Sequence, residues 1–104
     1  MVWLFTFVYG VEVPDESYVF TERTYENLAK SEVSPLAVTD VLHSGHVARR
    51  HIGGSLQVAG RDRGNTWLVV ALVEDGDDQY VVTGARYLDH DEIAAVIRMR
   101  GEQQ

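Results

Sequence analysis

The chain has 104 residues, of which 45% are apolar and 24% are charged, and its formal net charge is −7. This length and composition predict one globular domain spanning residues 1–104. The absence of cysteine excludes disulfides and thiolate catalysis, and it favours a reducing cytoplasm as the location. The acidic balance argues against a general nucleic-acid-binding protein, because phosphate contacts require cations.

The first ten residues, "MVWLFTFVYG", are apolar. They are too few for a membrane span, which takes roughly 20 residues. They also lack the basic start and the small-residue cleavage site of a signal peptide. We therefore expect a buried strand and no membrane association. A polar turn with Pro14 follows at 12–17, and residues 18–20, "YVF", are a candidate second strand.

Two helices are predicted next. Residues 21–32 form the first, with Thr21 or Thr24 as its N-cap. Its apolar face is expected to carry Tyr25, Leu28 and Ala29. Residues 33–45 form the second helix, because Ser34 is a suitable N-cap and Pro35 suits the first helical position.

The centre of the chain is predicted to be a sheet. Its four strands are residues 46–52, 55–61, 66–74 and 79–88. Gly53-Gly54 is a two-residue hairpin signal between the first two strands. Residues 66–74, "TWLVVALVE", are the most apolar strand and should be central. We predict an antiparallel meander of four strands, or five if the N-terminal strand joins it.

The last predicted element is a helix over residues 88–102. Asp89 and Glu92 have the spacing of a capping box. Its core-facing stripe is expected to be Ile93, Val96 and Ile97. Two helices, a meander and a C-terminal helix define an α+β fold.

The order of these motifs is similar to that of a known family. The segments "YENLAKSEVSPLAVTDVL" and "VAGRDRGNTWLVVALVEDGDDQYVVTGARYLDHDEI" resemble the helical and sheet parts of BrnT-type toxins, over about residues 18–95. These toxins belong to the RelE-like superfamily of small ribonucleases and are neutralised by an antitoxin encoded beside them. The resemblance implies a RelE-like fold, a protein antitoxin as partner, and metal-free RNA cleavage by 2′-hydroxyl attack without a cofactor.

The resemblance also implies site residues. Arg61 and Arg86 match the strand-end arginines of the family, and Lys30 matches the lysine that follows an Asn-Leu pair. Arginine suits the stabilisation of a phosphorane because its planar fork binds phosphate oxygens and stays charged. We therefore assign Arg61 and Arg86 to catalysis and Lys30 to RNA binding.

Further candidates lie in a local basic segment. Residues 47–66 hold four arginines and one aspartate, a net charge of +3 in an acidic chain. Arg49 and Arg63 are predicted RNA contacts, although adjacent Arg49 and Arg50 must point to opposite faces of a strand. Surface ion pairing is the alternative for these arginines.

His51 and Tyr87 are the candidates for proton transfer. A strand-end histidine and an aromatic side chain covering the sheet are the structural alternatives. Alternation along the last strand places Val82, Gly84 and Arg86 on one face. We expect no metal site, because the spacing of the histidines matches no zinc motif and there is no cysteine.

A second interpretation is a catalytically inactive interaction or inhibitor protein on the same fold. Ser31 and Glu32 stand where family members commonly have His-Gly, and Tyr87 stands where many have a second arginine. The acidic charge favours this alternative too. A homo-oligomer formed through strand edges is a third.

Overall fold

The structure is a computed structural model that describes residues 17–44, 47–76 and 79–102. The elements in chain order are β1 (Ser17–Phe20), α1 (Glu22–Lys30), α2 (Pro35–Leu42), β2 (Ala48–Ile52), β3 (Ser55–Arg61), β4 (Trp67–Glu74), β5 (Gln79–Tyr87) and α3 (His90–Glu102). The α+β class and its three helices are confirmed. The strand expected over the first ten residues lies outside the described residues.

The five strands form one sheet in the order β1-β5-β4-β3-β2. The pairs from β2 to β5 are antiparallel, and β4 is central as expected. The predicted antiparallel meander of four strands is confirmed, but β1 adds a fifth strand that pairs parallel to β5, which makes the sheet mixed at this edge. The reason is that two helices and three strands separate β1 from β5, and no tight hairpin constrains their relative direction.

Helices α1 and α2 cover one face of the sheet, here called the helical face. Leu28 of α1 and Val38 and Val41 of α2 are buried against it. The sheet contributes Leu56, Val58, Leu68, Val70, Leu72, Tyr80, Val82 and Ala85. Tyr25 is 51% exposed, so its predicted place in the apolar face of α1 is wrong. Thr24 is buried instead, because its hydroxyl has hydrogen-bond partners inside the core.

Helix α1 also runs along the edge of β5. Strand β1 pairs with β5 only as far as Val82, and α1 begins two residues after β1 ends. The hydroxyl of Thr24 donates to the Val82 carbonyl, and the Asn27 amide donates to the Thr83 carbonyl at 2.7 Å. Side chains of α1 therefore replace β1 as hydrogen-bond partners of this edge, which reduces its capacity to pair with another strand.

A β-bulge changes the alternation of β5. Ala71 pairs with Gly84 and Leu72 pairs with Val82, which leaves Thr83 as an extra residue. The expectation that Val82 shares a face with Gly84 and Arg86 is therefore wrong. Val82 lies on the helical face, and the extra residue turns Gly84 and Arg86 to the opposite face.

Helix α3 lies over that opposite face, close to β2. The predicted capping box is present: the Glu92 amide donates to Asp89 Oδ1 at 2.8 Å, and the Asp89 amide donates to Glu92 Oε1 at 3.0 Å. Ile97 is 52% exposed, so its place in the predicted stripe is wrong. Within the described part of the chain, none of the helices has the length and apolar character needed to cross a membrane.

Candidate functional site

A groove of about 670 Å³ lies between the sheet, the C-terminal end of α1 and helix α3. Part of its floor consists of residues with small side chains, which leave space above the strands. They are Ala48, Ala59, Ala71 and Gly84. The wall formed by α3 is apolar along Ala95, Val96 and Met99. A concave surface with an apolar floor and a few polar groups has the general properties of a ligand site.

Three cations line the groove. Arg86 comes from the end of β5, Arg50 from β2 and Lys30 from the last turn of α1. Glu92, from the first turn of α3, is the acidic residue among the groove's lining residues. The side chains that line the described groove therefore carry more positive than negative charge, although the whole chain is acidic.

Arg86 is held by Glu92. Its Nη1 donates to Glu92 Oε1 at 2.8 Å and its Nη2 donates to Oε2 at 2.6 Å, which is a bidentate pair. The hydrogen bonds from Arg86 and from the Asp89 amide lower the pKa of Glu92 from its ordinary 4.5 to about 2. Glu92 is therefore an anion throughout the physiological pH range, and its hydrogen bonds with Arg86 raise the pKa of Arg86.

The other groove residues are also positioned by hydrogen bonds. Arg50 Nη2 donates to Gln57 Oε1 on the neighbouring strand at 2.6 Å, and these two residues are directly opposite each other. Asn27 is fixed by its bond to the bulge carbonyl of Thr83. The bulge thus has two effects on the site. It turns Arg86 into the groove, and its Thr83 carbonyl binds Asn27 and so fixes the α1 wall, the side of the groove formed by Asn27 and Lys30.

Arg61 shares a face with the groove but lies outside its lining. It is opposite Trp67 at the end of β3 and β4 that the 62–66 turn closes, and its guanidinium carbon is 5.3 Å from the centre of the Trp67 ring. Its Nη1 also donates to Asn65 Oδ1 at 3.0 Å. Arg61 is therefore oriented by the β3–β4 turn, because its guanidinium contacts the indole ring of Trp67 and the amide oxygen of Asn65.

Arg63 points away from the groove. It forms a bidentate pair with Asp40 on α2, with nitrogen–oxygen distances from 3.0 to 3.3 Å. The amide of Arg63 also donates to Asp40, and together these bonds lower the pKa of that carboxyl. Because α2 covers the helical face, the structure does not bring Arg63 together with Arg86.

The remaining predicted site residues are divided between the two faces. Lys30 lines the groove, but Arg49 and His51 pair with Val58 and Leu56, which places them on the helical face. Tyr87 pairs with Leu68 on that face and is exposed at the end of β5. The structure therefore does not bring His51 or Tyr87 to Arg86.

Sequence reasoning did not select Arg50, Gln57 or Glu92 as site residues. Because side chains alternate along a strand, Arg49 or Arg50, but not both, could join a site on one face of the sheet. Arg50 is the one in the groove, because it pairs with Gln57 of β3. Glu92 was recognised for its capping role alone. Within residues 17–44, 47–76 and 79–102, no cluster of three or more His, Asp or Glu side chains could hold a metal ion.

The comparison with solved structures identifies a similar fold. The 1.1 Å crystal structure of the Brucella abortus ribonuclease toxin BrnT matches with a TM-score of 0.56 and 16% sequence identity, over 72% of this chain and 99% of that chain. No protein-family model matches the sequence, and no curated protein matches it. The chain therefore has a BrnT-like α+β fold, as the order of its sequence motifs indicates.

Proposed function

We propose that the protein is an endoribonuclease toxin that binds single-stranded RNA in the groove beside Arg86 and is neutralised by a protein antitoxin. The observation that carries this proposal is the convergence of Arg86, Arg50 and Lys30 on one groove of a BrnT-like fold. An apolar floor surrounded by three cations suits a segment of RNA whose phosphates lie along the rim of the groove and whose base lies on the floor.

In the proposed reaction, a 2′-hydroxyl attacks the adjacent phosphorus and loses its proton to water. The bond from phosphorus to the 5′-oxygen breaks, the 5′-oxygen takes up a proton from water, and a 2′,3′-cyclic phosphate forms. Negative charge develops on the phosphoryl oxygens in the transition state, and the guanidinium of Arg86 is the group best placed to stabilise it. Arg50 and Lys30 would bind the flanking phosphates. Positioned cations in a groove that partly excludes water supply catalysis by electrostatic stabilisation and orientation.

Proton transfer is the weaker part of this site. No histidine is among the described residues that line the groove. A carboxylate with a pKa of about 2 is a poor general base, so Glu92 in its pair with Arg86 contributes little in this role. His51 and Tyr87 lie on the helical face, so a role for either in proton transfer at a phosphate bound by Arg86 requires a rearrangement of the sheet when RNA binds. We accordingly expect slow cleavage.

Cleavage of bulk RNA by the purified chain, in the presence of a chelator, tests the proposal. We expect products with 2′,3′-cyclic phosphate ends, and Arg86→Ala should lower the rate on the order of 10²-fold, as loss of a transition-state charge partner does. Arg23→Ala is the matched control, because Arg23 is an exposed arginine of α1 that does not line the groove. Equal rates for the two variants would contradict the assignment.

The second candidate function is a catalytically inactive protein that binds a protein partner through the same fold. The pairing of Arg86 with Glu92 favours it, because the pair neutralises the central cation of the groove. The same assay separates the two functions. A chain that forms a stable complex with the product of the neighbouring gene, but leaves RNA intact in all variants, would be the interaction protein.

A further inference from the structure

The carboxylate of Glu92 occupies a position on Arg86 that a phosphate group can take. Two parallel N–H···O bonds of 2.8 and 2.6 Å join the guanidinium fork to the two carboxylate oxygens. A phosphate presents two oxygens to an arginine with the same bidentate geometry. Glu92 and an incoming phosphate therefore compete for the same donors.

The orientation of Glu92 has a second support that is independent of Arg86. Its Oε1 accepts from the Asp89 amide at 3.0 Å, and its own amide donates to Asp89 Oδ1 at 2.8 Å. This capping box fixes the side chain at the start of α3, so that the carboxylate is held towards the groove by the helix itself. The contact with Arg86 is a consequence of where α3 begins.

The pair is open to displacement. The side chain of Arg86 is 57% exposed and that of Glu92 is 34% exposed. Exposed ion pairs are weak because water screens them and because two side chains must be ordered to form them. A phosphate in the groove would also be attracted by Arg50 and Lys30, which line the same surface.

We infer that Glu92 is an internal competitor that closes the anion site of Arg86 until a phosphate group of the ligand displaces it. The inference rests on the proposed function, since it takes RNA as the source of that phosphate. On this inference, Glu92 lowers the affinity of the groove for RNA. Because the capping box holds Glu92, the exchange occurs by movement of the more exposed Arg86 side chain from the carboxylate to the phosphate, and α3 remains capped while the site is open.

Binding of a short 2′-O-methylated RNA oligonucleotide, measured by calorimetry, tests this inference. Glu92→Gln removes the charge, and glutamine still suits the third position of a capping box. We expect the Kd to fall about five-fold, the factor that corresponds to loss of an exposed ion pair. Asp91→Asn is the control, because Asp91 is the preceding residue of α3, carries the same charge and is not bonded to Arg86.

Three results would overturn the inference. The first is equal tightening by Glu92→Gln and Asp91→Asn, which indicates a general effect of net charge. The second is tightening that persists in the double variant Arg86→Ala/Glu92→Gln, since the gain must pass through Arg86. The third is the absence of binding in every variant. A thermal melt of Glu92→Gln checks that α3 remains folded.

The probe cannot be cleaved, so its binding does not depend on nuclease activity. If wild-type protein fails to cleave RNA but Glu92→Gln tightens binding through Arg86, the anion site stands and the nuclease assignment fails. If wild-type protein cleaves RNA but Glu92→Gln binds the probe no better than Asp91→Asn, the nuclease stands and the competitor role fails.

Discussion

Thr24 is the residue whose replacement tests how α1 is attached to the edge of the sheet. Its side chain is fully buried, and its hydroxyl donates to the Val82 carbonyl and accepts from the Thr21 amide at 2.9 Å. Valine has almost the same shape, so Thr24→Val opens no cavity. It leaves a buried carbonyl without this donor and removes half of the capping box at the start of α1.

The expected loss follows from these two effects. An unpaired buried acceptor costs about 1–3 kcal/mol, and a lost capping bond costs about 0.5–2 kcal/mol. We expect the free energy of unfolding to fall by about 2–3 kcal/mol. In a domain of this size, that change lowers the Tm by about 10–20 °C.

Urea and thermal unfolding of Thr24→Val and Thr24→Ser measure this effect. Serine keeps the hydroxyl and loses one methyl group, at a cost of about 1 kcal/mol. If the valine variant is as stable as the serine variant, the hydroxyl does not attach α1 to β5, and our explanation of the α1 wall is incorrect.

Three further outcomes follow from the geometry. Gly53 has a φ of +61°, so Gly53→Ala should lower the free energy of unfolding in urea by about 1 kcal/mol. Gly54→Ala should lower it by almost nothing, because the φ of Gly54 is not in the left-handed region and the added methyl group meets no atom within 4 Å. In an NMR pH titration, the Glu92 carboxyl should titrate with a pKa of about 2, and its value should return towards 4.5 in Arg86→Ala. Because the folded pKa is depressed, the stabilisation from this pair is complete above pH 4.5 and is lost as the pH falls towards 2; an unshifted carboxyl would show that the pair does not form in solution. Arg63→Ala should leave RNA cleavage unchanged, because this arginine is bound on the helical face; a loss of cleavage as large as that of Arg86→Ala would show that RNA reaches both faces.

The local features of the fold could be predicted from the sequence. The N-caps Thr21 and Ser34, the Asp89–Glu92 capping box and the Gly53-Gly54 hairpin all depend on residues within a few positions of each other. Each is therefore encoded in a short window of sequence.

Features that depend on distant parts of the chain could not be predicted. The parallel pairing of β1 with β5 joins residues about sixty positions apart, and the bulge at Thr83 is visible only once β4 and β5 are in register. The bulge reverses the face of Val82 relative to Arg86, which simple alternation cannot detect.

The candidate site was predicted in part. The strand-end position of Arg86 and the helix-end position of Lys30 follow from the motif order, and both residues line the groove. The choice between Arg49 and Arg50 required the register of β2 on β3. The salt bridge between Arg63 and Asp40 spans 23 positions, so the sequence offered no reason to separate Arg63 from the other arginines.

The most direct test of the central claim is to locate bound RNA on the protein. A short 2′-O-methylated RNA titrated into isotope-labelled protein should shift the backbone amide signals of groove residues such as Ala59, Ala71 and Gly84. The signals of Val38 and Val41, in α2 on the helical face, should stay in place. Shifts confined to the helical face, or around Asp40 and Arg63, would contradict the assignment of the groove beside Arg86 as the RNA site.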